Sequence, residues 1–257
     1  DTRQGFAALA SAWRRRFSIP VIGVVGSNGK TTAKEMCAAI LRAHFGTDAV
    51  LATAGNLNND IGVPTMVLRL RTQHQAAVIE MGMNHPGETA QLAPIAQASV
   101  GLINNAQREH QEFMKSVEAV AEEHALLIDA LGPEGIAVFN ADEAYAPLWR
   151  ARSGARQILD FGLAKGEVRG TFEPAGLGGV LHLETPWGGT EILLGVPGLH
   201  NARNACGAAA ACLAAGVSLS SVQRGLTAFA GVKGRLQRRT GPGGMLLIYD
   251  AYIANPV

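Results

Sequence analysis

The run Gly26-Ser27-Asn28-Gly29-Lys30-Thr31-Thr32 has the residue types needed to hold a chain of phosphates. Two glycines let the backbone turn its N–H groups outward. Lys30 can reach β- and γ-phosphates, and a hydroxyl can ligate Mg2+. The run follows a continuous apolar stretch, 19–25, and opens a segment with helical spacing, 31–45. That strand–loop–helix context is what phosphate binding requires. The spacing is tighter than the general phosphate-loop pattern, because position 24 is Val.

Other polar residues stand just beyond apolar stretches. Glu80 closes the apolar run 76–81 and heads Glu80-Met81-Gly82-Met83-Asn84-His85-Pro86-Gly87-Glu88. A carboxylate there is costly unless paired or bound to metal. It is either a capped strand-end residue or an oxygen ligand for Mg2+ on a nucleotide, and the neighbouring phosphate loop favours the second. Asn104-Asn105-Ala106-Gln107-Arg108-Glu109-His110 follows the stretch 100–104. Asn140, in Asn140-Ala141-Asp142, can bond an adenine edge or make a turn. Gly198-Leu199-His200-Asn201-Ala202-Arg203-Asn204-Ala205 begins an apolar helix with polar residues, as an N-cap would. Asn56, Asn58 and Asn59, in the loop 55–64, either cap a helix or hold a polar substrate.

The elements that must position these groups alternate. Strands are expected at 19–25, 49–53, 76–81, 100–104 and 136–139. Helices are expected at 31–45, 59–70, 88–98, 116–131 and from about 140 through Trp149. This order predicts an α/β fold with a parallel sheet and helices on both faces, its function at the carboxyl ends of the strands. The stretch 167–194 alternates and is broken by glycines, so a small antiparallel sheet is expected there. Helices at 200–215 and 218–229 follow.

Composition agrees with a packed α/β core: 47% of residues are hydrophobic but only 5% aromatic, with 31 glycines. Net charge is +1 and basic residues are scattered, which excludes a nucleic-acid footprint. The one basic knot, Arg235, Arg238 and Arg239, is either a solvated turn or a phosphate contact. Cys37, Cys206 and Cys212 have no metal-type spacing and read as buried thiols in a reducing cytoplasm. No apolar run approaches the ~18 residues of a membrane span. The chain is expected to divide into 1–18, a remnant preceding the main domain and helical in pattern; 19–236, the ATP-binding domain; and 237–257, the start of a further domain.

Taken in this order, the motifs resemble the Mur ligase family over nearly the whole chain from residue 19 onward. Loop 55–64 and run 80–88 are similar to those of the members that add D-alanyl-D-alanine. The resemblance implies an ATP-dependent amide ligase joining D-alanyl-D-alanine to UDP-N-acetylmuramoyl-tripeptide through an acyl phosphate, in peptidoglycan precursor synthesis. It implies ATP and Mg2+ as cofactors, a cytoplasmic monomer, and neighbouring domains for the outer parts of both substrates. Gly26, Ser27, Asn28, Gly29, Lys30, Thr31 and Thr32 would hold the ATP phosphates. Thr31 and Glu80 would bind one Mg2+, and His110 would serve a second. Asn140, His200 and Asn204 would surround adenosine. Arg235 would reach the phosphates, and Asp250 would lie near the nucleotide. Asn56, Asn58, Asn59, Asn84 and His85 would face the muramoyl-peptide. Lys30, Glu80, His110 and Arg235 form the expected catalytic set. Other readings are a folylpolyglutamate-type ligase or a nucleotide-binding module without activity.

Two departures stand out. The family commonly has a carbamylated, metal-binding lysine where this chain has His124; here His124 either holds a metal-bound water, or shares a site completed by Glu122 or Glu123, or is a plain helix residue with the second metal held by His110 and ATP. The family's acidic-acidic-Ser-Tyr-Asn-Ala-Asn-Pro run appears here as Tyr249-Asp250-Ala251-Tyr252-Ile253-Ala254-Asn255-Pro256.

Overall fold

β1 (Val21–Val25) is buried along its whole length and forms the axis of the molecule. The computed structural model describes residues 1–109, 112–232, 234–235, 237–241, 243 and 245–249. His110 and Asp250 lie outside the described residues. β1 is flanked by β3 (Ala76–Glu80) on one side and β4 (Val100–Ile103) on the other. β2 (Val50–Ala52), β5 (Ile136–Phe139) and β6 (Gln157–Ile158) complete a six-stranded parallel sheet of order β2-β3-β1-β4-β5-β6. The chain leaves β1 toward one edge and returns on its other side. The carboxyl ends of β3 and β4 therefore straddle that of β1, the switch point where such sheets bind ligands.

Alternate β1 side chains serve two cores. Ile22 and Val24 face α2 (Lys30–Phe45) and α7 (Leu199–Ala214). Val21 and Val25 join the core formed with α3 (Gly62–Val67), α4 (Glu88–Ala96), α5 (Val117–Asp129) and α6 (Ala146–Ser153). α1 (Thr2–Arg14) docks on that second side through buried Arg14, whose guanidinium donates to the carbonyls of Ala96 at 3.1 Å and Gln97 at 3.2 Å.

A second sheet has the order β10-β9-β8-β7, from β7 (Phe161–Gly162), β8 (Val168–Ala175), β9 (Gly178–Thr185) and β10 (Gly188–Leu194). β8, β9 and β10 are antiparallel, as their alternating pattern predicts; β7 pairs with β8 in parallel. Leu181, Leu183 and Ile192 point into the core that holds α7. α7 is thus covered by both sheets, which is why its middle, from Ala205 to Cys212, is all Ala, Gly and Cys: larger side chains would hold the layers apart. α8 (Leu219–Thr227) follows it. Burial pushes the Cys206 thiol up to about 12, in keeping with an inert packed cysteine.

Four expectations need correction. The helix expected from about 140 through Trp149 begins only at Ala146 and runs on to Ser153. The helix expected at 59–70 is confined to Gly62–Val67. The Asn59 side chain accepts from the N–H groups of Ile61 at 3.3 Å and Gly62 at 2.8 Å, so residues before Gly62 cap the helix. β6 was not expected, since two residues carry no readable periodicity. The basic knot is not a single turn: Arg238 and Arg239 lie in β11 (Gln237–Thr240), paired with β12 (Leu246–Tyr249).

α8 fixes α2 by backbone contact. A Cβ on Gly225 would strike the Cα of Ile40 and lie 2.7 Å from its nitrogen. Neither atom can give way. Gly225→Ala should therefore destabilise the fold by about 1–3 kcal/mol through overpacking. Thermal unfolding checks this; an unchanged midpoint would mean the helices do not touch there.

Candidate functional site

The phosphate loop leaves β1 at Val25 and enters α2 at Lys30. Gly26 and Gly29 have φ of 140° and 76°, values that side chains rarely allow. A Cβ on Gly29 would also lie 2.6 Å from Asn204 Oδ1 and 2.9 Å from Asn104 Nδ2. Gly29 caps α2 without a side-chain acceptor, so the first N–H groups of this 16-residue helix point outward with their positive end.

The loop's shape comes from the segment after β4. Ser27 N–H donates to Asn105 O at 3.2 Å, and Asn28 N–H to Asn105 Oδ1 at 2.9 Å. Asn28 O accepts from Asn104 Nδ2 at 2.8 Å and Asn105 Nδ2 at 2.9 Å. Ser27 Oγ accepts from Gln107 N–H at 2.9 Å. Asn104 Nδ2 also donates to Asn204 Oδ1 at 2.8 Å, tying α7 to the same point. Of these partners only Asn204 was given a role from the sequence. The clustered amides after a strand end were the available signal for Asn104, Asn105 and Gln107.

Lys30 Nζ donates to the carbonyls of Gly26 and, at 3.1 Å, Ser27. Thr31 Oγ1 donates to Glu80 Oε1 at 3.2 Å and accepts from an Arg235 NH2 group at 3.1 Å. Asn58 Nδ2 donates to the same Glu80 oxygen at 2.9 Å. The Glu80 N–H is held by Thr53 Oγ1 at 2.9 Å. The Thr53 carbonyl in turn accepts at 2.8 Å from Lys34, an ammonium buried one turn beyond Lys30. Glu80 is only 2% exposed, and its Oε2 has no hydrogen-bond partner. An orphaned buried carboxylate oxygen beside a hydroxyl suits a hard cation. Among the described residues no three His, Cys, Asp or Glu side chains converge on one point. Thr31 and Glu80 would be a partial ligand set, which phosphate oxygens would complete.

Behind the loop, Glu109 is buried, with Oε2 3.5 Å from Lys30 Nζ and Oε1 3.2 Å from His124 Nε2. Burial alone would raise the Glu109 carboxyl, but His124 and the Lys30 charge outweigh it and hold it below its ordinary value. Burial pushes the His124 imidazole below its ordinary 6.5, with Glu109 opposing in part. Glu122 and Glu123 do not complete a site with His124. Glu123 accepts from the N–H groups of Gly87 and Thr89, both at 2.7 Å, at the N-terminus of α4. Glu122 pairs with Arg152 at 3.4 Å on the outer face. One turn of helix separates these directions by about 100° per residue. Glu109 stood in the sequence run beside His110 without an assigned role.

The remaining residues are spread along the strand ends. Asn140 is buried; its Oδ1 accepts from Asp142 N–H at 3.0 Å and its Nδ2 has no partner. His200 is exposed on the first turn of α7. Asn56 lines a cavity of about 650 Å3 with Thr31, Lys34, Glu80, Phe229 and Arg235. His85 lies on Glu88 at 2.9 Å and on the Phe113 ring at 4.2 Å, while Asn84 N–H donates to Glu88 at 2.6 Å.

A parallel sheet with a phosphate loop at its switch point, faced by Glu80 and backed by a small second sheet, is the arrangement of one group of ligases. Residues 24–212 match the Mur ligase middle domain, and the chain belongs to the Mur ligase family. It is 38% identical over 258 residues to the UDP-N-acetylmuramoyl-tripeptide–D-alanyl-D-alanine ligase of Escherichia coli K12, covering 99% of this chain and 56% of the relative. The enzyme of the same name from Bacillus subtilis is 32% identical, covering 100% of this chain and 54% of the relative. Crystallographic MurF from Acinetobacter baumannii superposes with a TM-score of 0.93 at 36% identity, over 99% of this chain and 56% of that one. MurF of Thermotoga maritima, solved with ADP, gives 0.84 at 26% identity, over 99% and 58%. The chain thus spans about half the length of these relatives. No described helix is long and apolar enough to cross a membrane.

The buried His124 sets a pH dependence. Its pKa is depressed in the folded state, so its contribution to stability is fully present above the unfolded value of 6.5. Below that value the unfolded chain binds a proton that the folded chain resists, and stability falls. Acidification from about pH 7.5 to about 5.5 should lower the unfolding midpoint. His124→Gln should flatten that slope, measured by thermal melts across the range.

Proposed function

We propose that this chain is the ATP-binding part of an ATP-dependent amide ligase that joins D-alanyl-D-alanine to UDP-N-acetylmuramoyl-tripeptide in the cytoplasm. The observation that carries the nucleotide reading is the meeting of Thr31 and Glu80 at the loop, with one Glu80 oxygen buried and unpartnered. The substrates follow from the names of relatives alike over 99% of the chain. In this reading residues 19–236 are the central domain, and 1–18 and 237–257 belong to its flanks.

The roles in this reading are as follows. The N–H groups and side chains of Gly26, Ser27, Asn28, Gly29, Lys30, Thr31 and Thr32 hold the phosphates, and Lys30 turns from the loop carbonyls to the β- and γ-phosphates. Thr31 and Glu80 would hold Mg2+, with His110 at a second ion, and the bound metal would supply positive charge against the transferring phosphoryl group. Arg235 adds positive charge from the segment after α8. Asn140, His200 and Asn204 take the adenosine side, with Asp250 nearby. Asn56, Asn58, Asn59, Asn84 and His85 take the muramoyl-peptide side. The tripeptide carboxylate attacks the γ-phosphorus, releasing ADP and giving an acyl phosphate. The D-alanyl-D-alanine amine then attacks that carbonyl, loses a proton and expels phosphate. No protein nucleophile is needed; orientation and charge supply the rate.

The full-length protein should release phosphate from ATP only when both muramoyl-tripeptide and D-alanyl-D-alanine are present. Lys30→Ala should abolish this with the fold retained by circular dichroism, although the melting midpoint should fall because buried Glu109 loses its cation. Release without D-alanyl-D-alanine, or with folate substrates instead, would reject the reading.

α5 contains no lysine, and an imidazole forms no stable carbamate. Turnover should therefore be the same in CO2-stripped buffer with and without bicarbonate. A bicarbonate requirement would place a carbamylated lysine elsewhere in the protein.

A further inference from the structure

Lys30 has an anionic neighbour inside the protein. Glu109 Oε2 lies 3.5 Å from its Nζ, and the Glu109 side chain is 1% exposed. The carboxylate is held in place from two sides. His124, itself buried, meets its other oxygen at 3.2 Å. The backbone leading to it, from Asn104 to Gln107, is bonded to the phosphate loop at Ser27 and Asn28. Glu109 cannot swing into water as a surface carboxylate would.

Phosphates brought to Lys30 therefore meet a fixed negative charge in a region of low dielectric, where repulsion is strong and salt screens it poorly. A divalent cation arriving with the phosphates removes that repulsion, because it is the largest local charge in such a site. We propose that Glu109, fixed by His124, competes with phosphate for Lys30 and so makes nucleotide binding at this loop dependent on a divalent cation. The proposal rests on the nucleotide reading above and assigns to Glu109 a role in ligand selection: the free nucleotide is disfavoured, the metal-bound form accepted.

The test is calorimetric titration of ADP into the full-length protein, in EDTA and in saturating Mg2+. Wild type should bind far more tightly with Mg2+. Glu109→Gln should tighten metal-free binding by about tenfold or more and change binding with Mg2+ much less, so the ratio of the two constants shrinks. Glu109→Asp, which keeps the charge, should keep the wild-type ratio. If Glu109→Gln does not fold, Glu109→Ala combined with His124→Leu removes the buried imidazole together with the carboxylate and carries the same comparison. Weakening by the same factor with and without Mg2+ would overturn the proposal, because it is what a residue that merely props Lys30 would do. Wild-type binding that is absent under both conditions would instead overturn the nucleotide reading itself.

Discussion

Asn28 turns its carbonyl away from the ligand side and gives it to two amide side chains from the segment after β4. On this contact the phosphate loop depends. A loop that must point N–H groups outward has carbonyls pointing inward, and buried carbonyls need donors. Asn104 and Asn105 supply them, and Asn204 fixes Asn104 from α7. The price of the arrangement is a buried polar network, which is tolerable only when nearly every member is satisfied. Its effect is to hold the loop's form before any phosphate binds.

The same logic sets the packing around α2. Helix α2 carries the loop at its N-terminus, so its position is the loop's position. Gly225 of α8 lets the two helix backbones touch, and α7, with its small side chains, lies between both sheets. In a chain with only 5% aromatic residues, the core is therefore one of close layers built from small side chains. The second sheet contributes no residue of the phosphate loop, yet its buried Leu181, Leu183 and Ile192 complete the layer that holds α7 and α2.

Much of this was legible in the chain. Parallel strands buried on both faces read as unbroken apolar runs, and β1, β3, β4 and β5 do so. The loop 26–32 carries its own signature. Spacing does not show pairings between distant positions: Thr31 and Glu80, 49 residues apart, were brought together only by the family resemblance, and Asn104 with Asn204, 100 apart, not at all. Glu123 looked like a metal ligand beside His124 because spacing gives the angle between side chains but not which element fills each direction. It caps α4 instead. Glu109 escaped for the opposite reason: nothing in its neighbours shows that it is buried against Lys30. β6, at two residues, falls below the length at which alternation can be counted.

The Thr31 hydroxyl repays a count of its valences. A hydroxyl has one hydrogen to give and two lone pairs to offer. The hydrogen goes to Glu80, and one lone pair receives Arg235. One lone pair is left. A single further guest can therefore bind Thr31 without dislodging either neighbour, while a second could enter only by expelling Arg235. The stretch of chain that follows α8 is in this way tied to the ligand site without closing it: one electron-pair acceptor can join Thr31 with both of these neighbours in place.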